Sequence, residues 1–231
     1  MSTNTTNSYF LSSLSKKYFM AATGLFLCIF LIGHLAGNLQ LFLTGEEGKL
    51  QFNEYALFMT TFPAVKILSY LTYFSIIFHA IDGILLTIKN RKARPTAYAY
   101  SRPDKNTSFP ARNMAILGSL ILVFIVLHLS NFWVTMHWGE LDTDIWLDAN
   151  GNRDLHAVVV RSFKQLWYVI VYVVCMIVLG FHLWHGFQSG FQSLGLNHPR
   201  YTPIIKKTGV AFSIIVPALF AAIPVFIYLF G

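Results

Sequence analysis

Five long apolar stretches dominate this sequence of 231 residues and limit what it can fold into. A bilayer core of about 30 Å is crossed by about 20 apolar residues in a helix, and each stretch reaches that length. Every backbone polar group in lipid must be paired within the protein, and runs this long and continuous favour helices over barrel strands. The sequence therefore predicts an all-α polytopic membrane protein with a single domain over 1–231. Its five transmembrane helices are expected at about 18–43, 65–88, 114–136, 166–187 and 210–230.

Composition excludes several other classes of protein. Only 12% of the residues are charged and 55% are hydrophobic, whereas a soluble domain averages about 25% charged residues. This balance is incompatible with a soluble enzyme, a disordered chain or a nucleic-acid-binding module. Cys28 and Cys175 both lie inside apolar runs, and no CxxC motif occurs. A disulfide framework, a zinc ribbon and a covalently attached c-type haem are therefore not expected.

Basic residues are distributed unequally between the connecting segments, and this asymmetry predicts the orientation in the membrane. Most of the 17 Lys and Arg residues precede the first span or lie in the connections between spans two and three and between spans four and five. The positive-inside rule then gives a cytoplasmic N-terminus and an external C-terminus. The acidic segment 138–164 is expected outside, as a short element over the outer end of the bundle.

Histidines carry the main functional signal, because ionisable groups at membrane depth are costly and by default indicate a functional site. The first four predicted spans each contain at least one histidine and the fifth contains none. Four helices that offer imidazoles to a bundle interior provide what bis-histidine haem ligation requires. The histidines within the spans are His34, His79, His128, His182 and His185.

Depth in the membrane divides these histidines into two levels. At about 1.5 Å of rise per residue, His34 and His128 lie on the outer side of their spans' midpoints, and His79 and His182 lie on the inner side. The sequence thus predicts that His34 and His128 hold an outer haem and that His79 and His182 hold an inner one. His185, three residues after His182 on the same helix face, is an alternative inner ligand or a contact to a propionate or quinone.

Other residues near these positions admit two interpretations. Several glycines flank the histidines, where they either let a macrocycle approach the backbone or serve helix packing in the membrane. Asp82 shares a helix face with His79. It either hydrogen-bonds an imidazole, relays protons or lines a quinone pocket, or it reaches water at the inner interface. The flanking glycines are Gly33, Gly37, Gly83, Gly180 and Gly186. The histidines expected at the surface are His137, His156 and His198.

Four stretches, one in each of the first four spans, are similar to a known family of membrane proteins. They are SKKYFMAATG with FLIGHLAGN, IIFHAIDG, VLHLSNFW and GFHLWHGFQSGFQSLG. With one histidine position per span and none in the fifth, the chain resembles the five-helix, di-haem cytochrome b anchor of succinate:quinone oxidoreductases, that is, of succinate dehydrogenases and fumarate reductases. The resemblance covers nearly the whole chain. The neighbouring His182 and His185 leave one ligand of that pattern ambiguous.

The resemblance implies a function for the chain within a larger complex. It implies two b haems, with His34 and His128 on the distal haem and His79 and His182 on the proximal one. Electrons would pass between an iron–sulfur subunit and membrane menaquinone or another quinone, and a flavoprotein subunit with FAD would oxidise succinate. Such a chain lies in the inner membrane of a bacterium and has no nucleic-acid partner.

The quinone and propionate contacts are less closely defined by the sequence. The resemblance points to Glu54 for quinone and proton chemistry, with Glu46 or Glu47 as alternatives. Lys16, Lys17 and Arg112 are placed to meet propionates of the inner haem. Two other functions remain open, namely the cytochrome b anchor of another quinone-linked oxidoreductase and a haem-free transporter or scaffold whose histidines relay protons or pair between helices.

Overall fold

The computed structural model describes residues 13–93, 107–139 and 146–231, and it is all-helical. Helices make up 86% of it, and no strand occurs among the described residues. Five helices in this part of the chain are long and apolar enough to cross a membrane. The prediction of an all-α bundle with five candidate spans is confirmed, whereas the orientation of the termini stays a prediction.

Seven helices of two turns or more carry the described architecture, and most extend beyond the predicted spans. They are α1 (Ser13–Asn38), α2 (Gly45–Thr61), α3 (Pro63–Lys92), α4 (Met114–His128), α5 (Leu155–Phe163), α6 (Leu166–Ser193) and α7 (Thr202–Phe230). A 3₁₀ turn, Leu39–Phe42, continues the first span. A π-helical turn, Leu129–Val134, and a last turn, Thr135–Trp138, continue the third.

Polar helix ends explain why the spans are longer than hydropathy predicts. α7 begins at Thr202 rather than near position 210, with Pro203 in its first turn, where a missing N–H costs nothing. Lys206 and Lys207 lie on its exposed first turns. α3 ends with three basic residues in its last turn, which interact favourably with the helix dipole. These turns are helical but not apolar, so a hydropathy window does not detect them.

The four histidine-bearing helices form a closed ring in the order α1, α3, α4 and α6, with each helix packed against the next and α6 against α1. α7 lies outside this ring, against α6 and α1. Large apolar side chains such as Ile29, Ile67 and Val126 are exposed on the spans. A surface of this kind is expected where lipid covers the protein.

Helices α2 and α5 lie together at one end of the bundle, which is called the capped end; the opposite end is the far end. α2 packs against α3 and α5, and α5 packs against α6 and α7. A buried apolar cluster joins the cap to the spans: Leu41, Phe52, Val159, Phe163, Val169, Tyr172, Ile223 and Ile227. The short element predicted over one end of the bundle is thus present as α5. Residues 140–145 of that segment lie outside the described residues.

Candidate functional site

Four histidines form two pairs across the centre of the helix ring. The ring centroids of His34 on α1 and His128 on α4 are 5.8 Å apart, with the planes at 87°. Those of His79 on α3 and His182 on α6 are 6.1 Å apart, with the planes at 71°. Each pair joins helices that are diagonally opposite in the ring. The first is called the capped-end pair and the second the far-end pair.

The two pairs lie at different depths along the bundle. Gly24 is ten residues before the α1 histidine, and a Cβ at Gly24 would lie 3.0 Å from Cε1 of His79. Gly118 is ten residues before the α4 histidine, and a Cβ there would lie 3.7 Å from Cε1 of His182. Ten residues of helix span about 15 Å. Helices α1 and α4 therefore both place the two pairs about 15 Å apart along the bundle. The two pairs are the same two groups that the depth of the histidines in the sequence predicts.

The spacing within each pair suits two ligands on opposite sides of one metal ion. A metal–imidazole nitrogen bond is about 2.0–2.1 Å, as measured for zinc, so two such imidazoles have ring centroids roughly 6 Å apart. Edge-to-face packing of aromatic rings covers the same range. The surroundings of the rings therefore carry more information than the distance alone.

Each of the two sites offers two protein ligands, both of them histidines. Among the described residues, no three His, Cys, Asp or Glu side chains lie together in a group that could hold a metal ion. A zinc or non-haem iron site takes three or more ligands from the protein. A porphyrin supplies four nitrogens itself, and two axial imidazoles complete its iron. The donor set fits haem better than a bare metal ion.

Three of the four rings have a polar partner at Nδ1. The side-chain amide of Asn38 lies 3.3 Å from Nδ1 of His34, and the hydroxyl of Tyr172 lies 3.4 Å from Nδ1 of His128. Thr23 Oγ1 lies 3.3 Å from Nδ1 of His79. The Thr23 hydroxyl donates its proton to a backbone carbonyl at 2.7 Å, so it accepts from the His79 ring. The Nδ1–H of His79 held in this way leaves Nε2 as the free lone pair, as in histidines that bind metals. The amide nitrogen of Asn38 is a donor and also donates to the backbone carbonyl of His34 at 2.8 Å, so it holds no Nδ1–H.

The far-end pair contains one exception to this pattern. Nδ1 of His182 is buried and has no hydrogen-bond partner among the described residues. A buried polar atom without a partner is rare and costs free energy. Its position is consistent with a group that completes the site, such as a water molecule or part of a ligand.

Aromatic side chains surround the capped-end pair and keep it apolar. Phe30 stacks on His34 at 5.4 Å, Phe220 lies 5.5 Å from the same ring, and Phe132 lies 5.4 Å from His128. Such a lining excludes water and lowers the local dielectric, which is one way in which a protein adjusts a haem iron.

The alternative inner ligand lies apart from the His79 ring. His182 is the residue whose ring faces His79, and His185 is half-buried about one turn farther along α6.

Asp82 is buried, with 9% of its surface exposed, one turn from His79 on α3. Lys16 on the first turn of α1 lies at the far end. Lys17 and Arg112 lie at the same end, and they are exposed.

The glycines that approach histidine rings are not the ones that the sequence suggested. Gly37 meets the ring of Tyr55 and Gly180 meets the Ser213 carbonyl, so these two serve helix packing, while Gly33 faces open space. Gly83 and Gly186 each lie near a methionine side chain. The close contacts to histidine are made by Gly24 and Gly118. The sequence did not indicate these two glycines, because each lies ten residues before the histidine of its own helix. Each contacts a histidine of the far-end pair that belongs to a different helix.

The predictions of surface positions are only partly confirmed. His137 and His198 are exposed, as predicted. His156 is half-buried on α5 against Phe52, with ring centroids 6.1 Å apart, so the prediction that it is a surface residue is wrong. The side chains of Glu46, Glu47 and Glu54 are all exposed on α2. The quinone role of Glu54 stays a prediction.

A buried polar cluster at the capped end was not predicted. Asn53 on α2 is 1% exposed, and its side-chain nitrogen donates to Asp148 at 3.2 Å and to Asp154 at 3.0 Å. Its carbonyl oxygen accepts from the backbone N–H of His156 at 2.9 Å. Lys49 forms an ion pair with Asp154 at 3.0 Å. We call these residues the cap cluster; they join α2 to the N-terminus of α5.

Hydrogen bonds and charge control ionisation in the cap cluster. Burial opposes ionisation of Asp154, but hydrogen bonds from the Ala157 N–H, Asn53 and Lys49 together hold its pKa below the ordinary value. The hydrogen bond to Asp154 raises the pKa of Lys49. Burial lowers the pKa of His156. The only local signal for this cluster is Asp154 directly before an apolar run, a pattern typical of a helix N-cap, and it does cap α5.

Comparisons with protein families, with curated proteins and with solved structures found no match to this chain.

Proposed function

We propose that the chain is the membrane-anchoring cytochrome b subunit of a succinate:quinone oxidoreductase and binds two b haems. The observation that carries the proposal is the two diagonal histidine pairs, stacked about 15 Å apart inside one apolar bundle. Two pairs at separate depths suit an electron path across a bilayer. A single buried histidine, in contrast, would be explained by a hydrogen bond between two helices.

The chain's residues bind and orient the haems and keep water away. His34 and His128 would hold one haem, and His79 and His182 the other. Bound in this way, haem supplies a one-electron couple between ferric and ferrous iron. Thr23 at Nδ1 of His79 and Tyr172 at Nδ1 of His128 would hold these two rings with Nε2 directed toward the iron. The phenylalanines around the capped-end pair exclude water.

Sequence features support the finer part of the proposal. The four stretches quoted above resemble the di-haem anchors of succinate dehydrogenases, and the positive-inside rule orients the basic far end toward the cytoplasm. A flavoprotein with FAD and an iron–sulfur subunit would then dock on that side, and electrons would reach membrane menaquinone. The proposed location is the inner membrane of a bacterium.

The first experiment is a pyridine haemochrome assay on the purified chain, with the ratio of haem to protein. We expect about two b haems per chain. His34→Leu and His128→Leu should remove the same spectral component, and His79→Leu and His182→Leu should remove the other one. The exposed His198→Leu is the matched control and should keep both.

Different results point to different functions. A folded chain expressed with haem available that binds none would contradict the proposal and favour a haem-free bundle, in which the histidine rings simply pack edge to face. Two haems without a co-purifying flavoprotein, and without succinate-dependent dye reduction by the complex, would favour the anchor of another quinone-linked oxidoreductase.

A further inference from the structure

A chain of polar side chains runs from the capped-end pair toward the capped end. The hydroxyl of Tyr172 lies 3.4 Å from Nδ1 of His128. The side-chain amide of Asn131 lies close enough to the Tyr172 hydroxyl to interact with it. Tyr168, one turn before Tyr172 on α6, donates to Oδ1 of Asn131 at 2.7 Å. Tyr168, Tyr172 and Asn131 thus connect α6 to the third span, next to His128.

Asn131 lies in an unusual part of the third span. The helix widens into a π-helical turn, Leu129–Val134, directly after His128. Wide turns of this kind are rare and occur often at functional sites. An amide in an apolar bundle costs free energy unless it is hydrogen-bonded, and here the half-buried Asn131 accepts from Tyr168 on α6. The turn therefore sets the position of the Asn131 amide beside the Tyr172 hydroxyl.

The far-end pair has no equivalent arrangement on α6. Nδ1 of His182 is buried without a partner among the described residues. In the far-end pair, His79 has a hydroxyl at Nδ1 that comes from Thr23 on α1. In the capped-end pair, the hydroxyl at Nδ1 of His128 comes from Tyr172 on α6. An acceptor at this nitrogen fixes the tautomer of a ligating imidazole and makes the ligand more basic.

We propose that Tyr172 is a positioning residue for His128, held in place by Asn131 on the π-helical turn, and that it lowers the reduction potential of the capped-end haem alone. This inference rests on the proposed function. A more basic imidazole gives more electron density to the iron and so favours the ferric state. Removing the hydroxyl should shift the balance toward the ferrous state.

The test is a redox titration of both haem components in Tyr172→Phe, which removes one oxygen atom and keeps the ring. We expect the ferrous-to-ferric ratio of the capped-end component, the one lost in His128→Leu, to rise by up to about tenfold at a given potential. For a one-electron couple this is an upward shift of about 59 mV. The far-end component should not move. Tyr73→Phe is the matched control, because the ring of Tyr73 packs edge to face against Trp133 at 5.9 Å and, among the described residues, against no histidine.

A second variant tests the role of the amide. Asn131→Leu should shift the same component in the same direction by less, and the double variant should shift it no further than Tyr172→Phe does. Two haems whose potentials are unchanged in Tyr172→Phe, or move equally, would overturn the positioning role and leave the proposed function intact. Absence of haem from the wild-type chain would overturn both.

Discussion

The side-chain amide of Asn53 lies 3.0 Å from Asp154, which follows it by 101 residues in the chain. The same amide also donates to Asp148, so one neutral side chain connects two buried carboxylates. Lys49 balances one of their charges. The cap over the bundle therefore depends on a small number of long-range polar contacts as well as on its apolar core.

We expect Asn53→Ala to destabilise the cap. The variant removes two hydrogen bonds to carboxylates, and such bonds contribute about 1.5–3 kcal/mol each, so a loss of about 3 kcal/mol is the scale. Hydrogen exchange of the α5 amides in detergent measures it. Asn150→Ala, at an exposed position in the same segment, should change exchange little. Equal exchange in both variants would show that the cap does not depend on the cluster.

The cap should open in acid. The pKa of Asp154 is lower in the folded protein than its ordinary value, so its contribution is full above about pH 4. That contribution is lost as the pH falls through the lower folded value. The protection of the α5 amides, which is the intrinsic exchange rate at each pH divided by the observed rate, should therefore fall below about pH 4. Asp154→Asn, which cannot titrate, should be less stable at neutral pH and show a flatter acid profile.

His156 adds a second pH dependence of stability, at mildly acidic pH. Burial lowers its pKa from the ordinary value of 6.5, so the folded state favours the neutral ring. Stability is then lost as the pH falls from that value toward the lower folded value. His156→Phe should remove this dependence and keep the loss of stability at lower pH that comes from Asp154. Hydrogen exchange of α5 between pH 7 and pH 5 gives the comparison.

Gly24 should be intolerant of a side chain. A Cβ there would lie 3.0 Å from Cε1 of His79, so the ring must move by a few tenths of an ångström. We expect Gly24→Ala to perturb the spectrum of the far-end haem only, and Gly24→Val to abolish that component. Gly33→Ala is the control, because a Cβ at Gly33 meets nothing within 4 Å. A normal far-end spectrum in Gly24→Val would contradict the assignment of His79.

His182 and His185 can be separated directly. We expect His185→Ala to retain two low-spin haems, because the ring that faces His79 belongs to His182. His182→Ala should lose the far-end component. Electron paramagnetic resonance of both variants, normalised to haem content, decides between them. The reverse result would make His185 the ligand.

Sequence alone predicted the helices and the histidine pairs because both depend on regular periodicity. Apolar length identifies spans, and a fixed rise per residue converts position into depth, so His34 could be grouped with His128 before any contact was known. The cap cluster could not be predicted, since Asn53 and Asp154 are distant in the chain and polar residues in connections usually face water. Gly24 was missed for a related reason, because its partner belongs to a different helix.

The diagonal arrangement of the histidines has a consequence for how the molecule holds together. Residues 13–93 supply α1 and α3, and residues 107–231 supply α4 and α6. Each half of the chain thus gives one imidazole to each pair, and the bond from Asn53 to Asp154 also crosses between the halves. A ligand held between the imidazoles would act as a crosslink within the membrane. Two such crosslinks would make a chain cut between α3 and α4 assemble in proportion to the haem supplied.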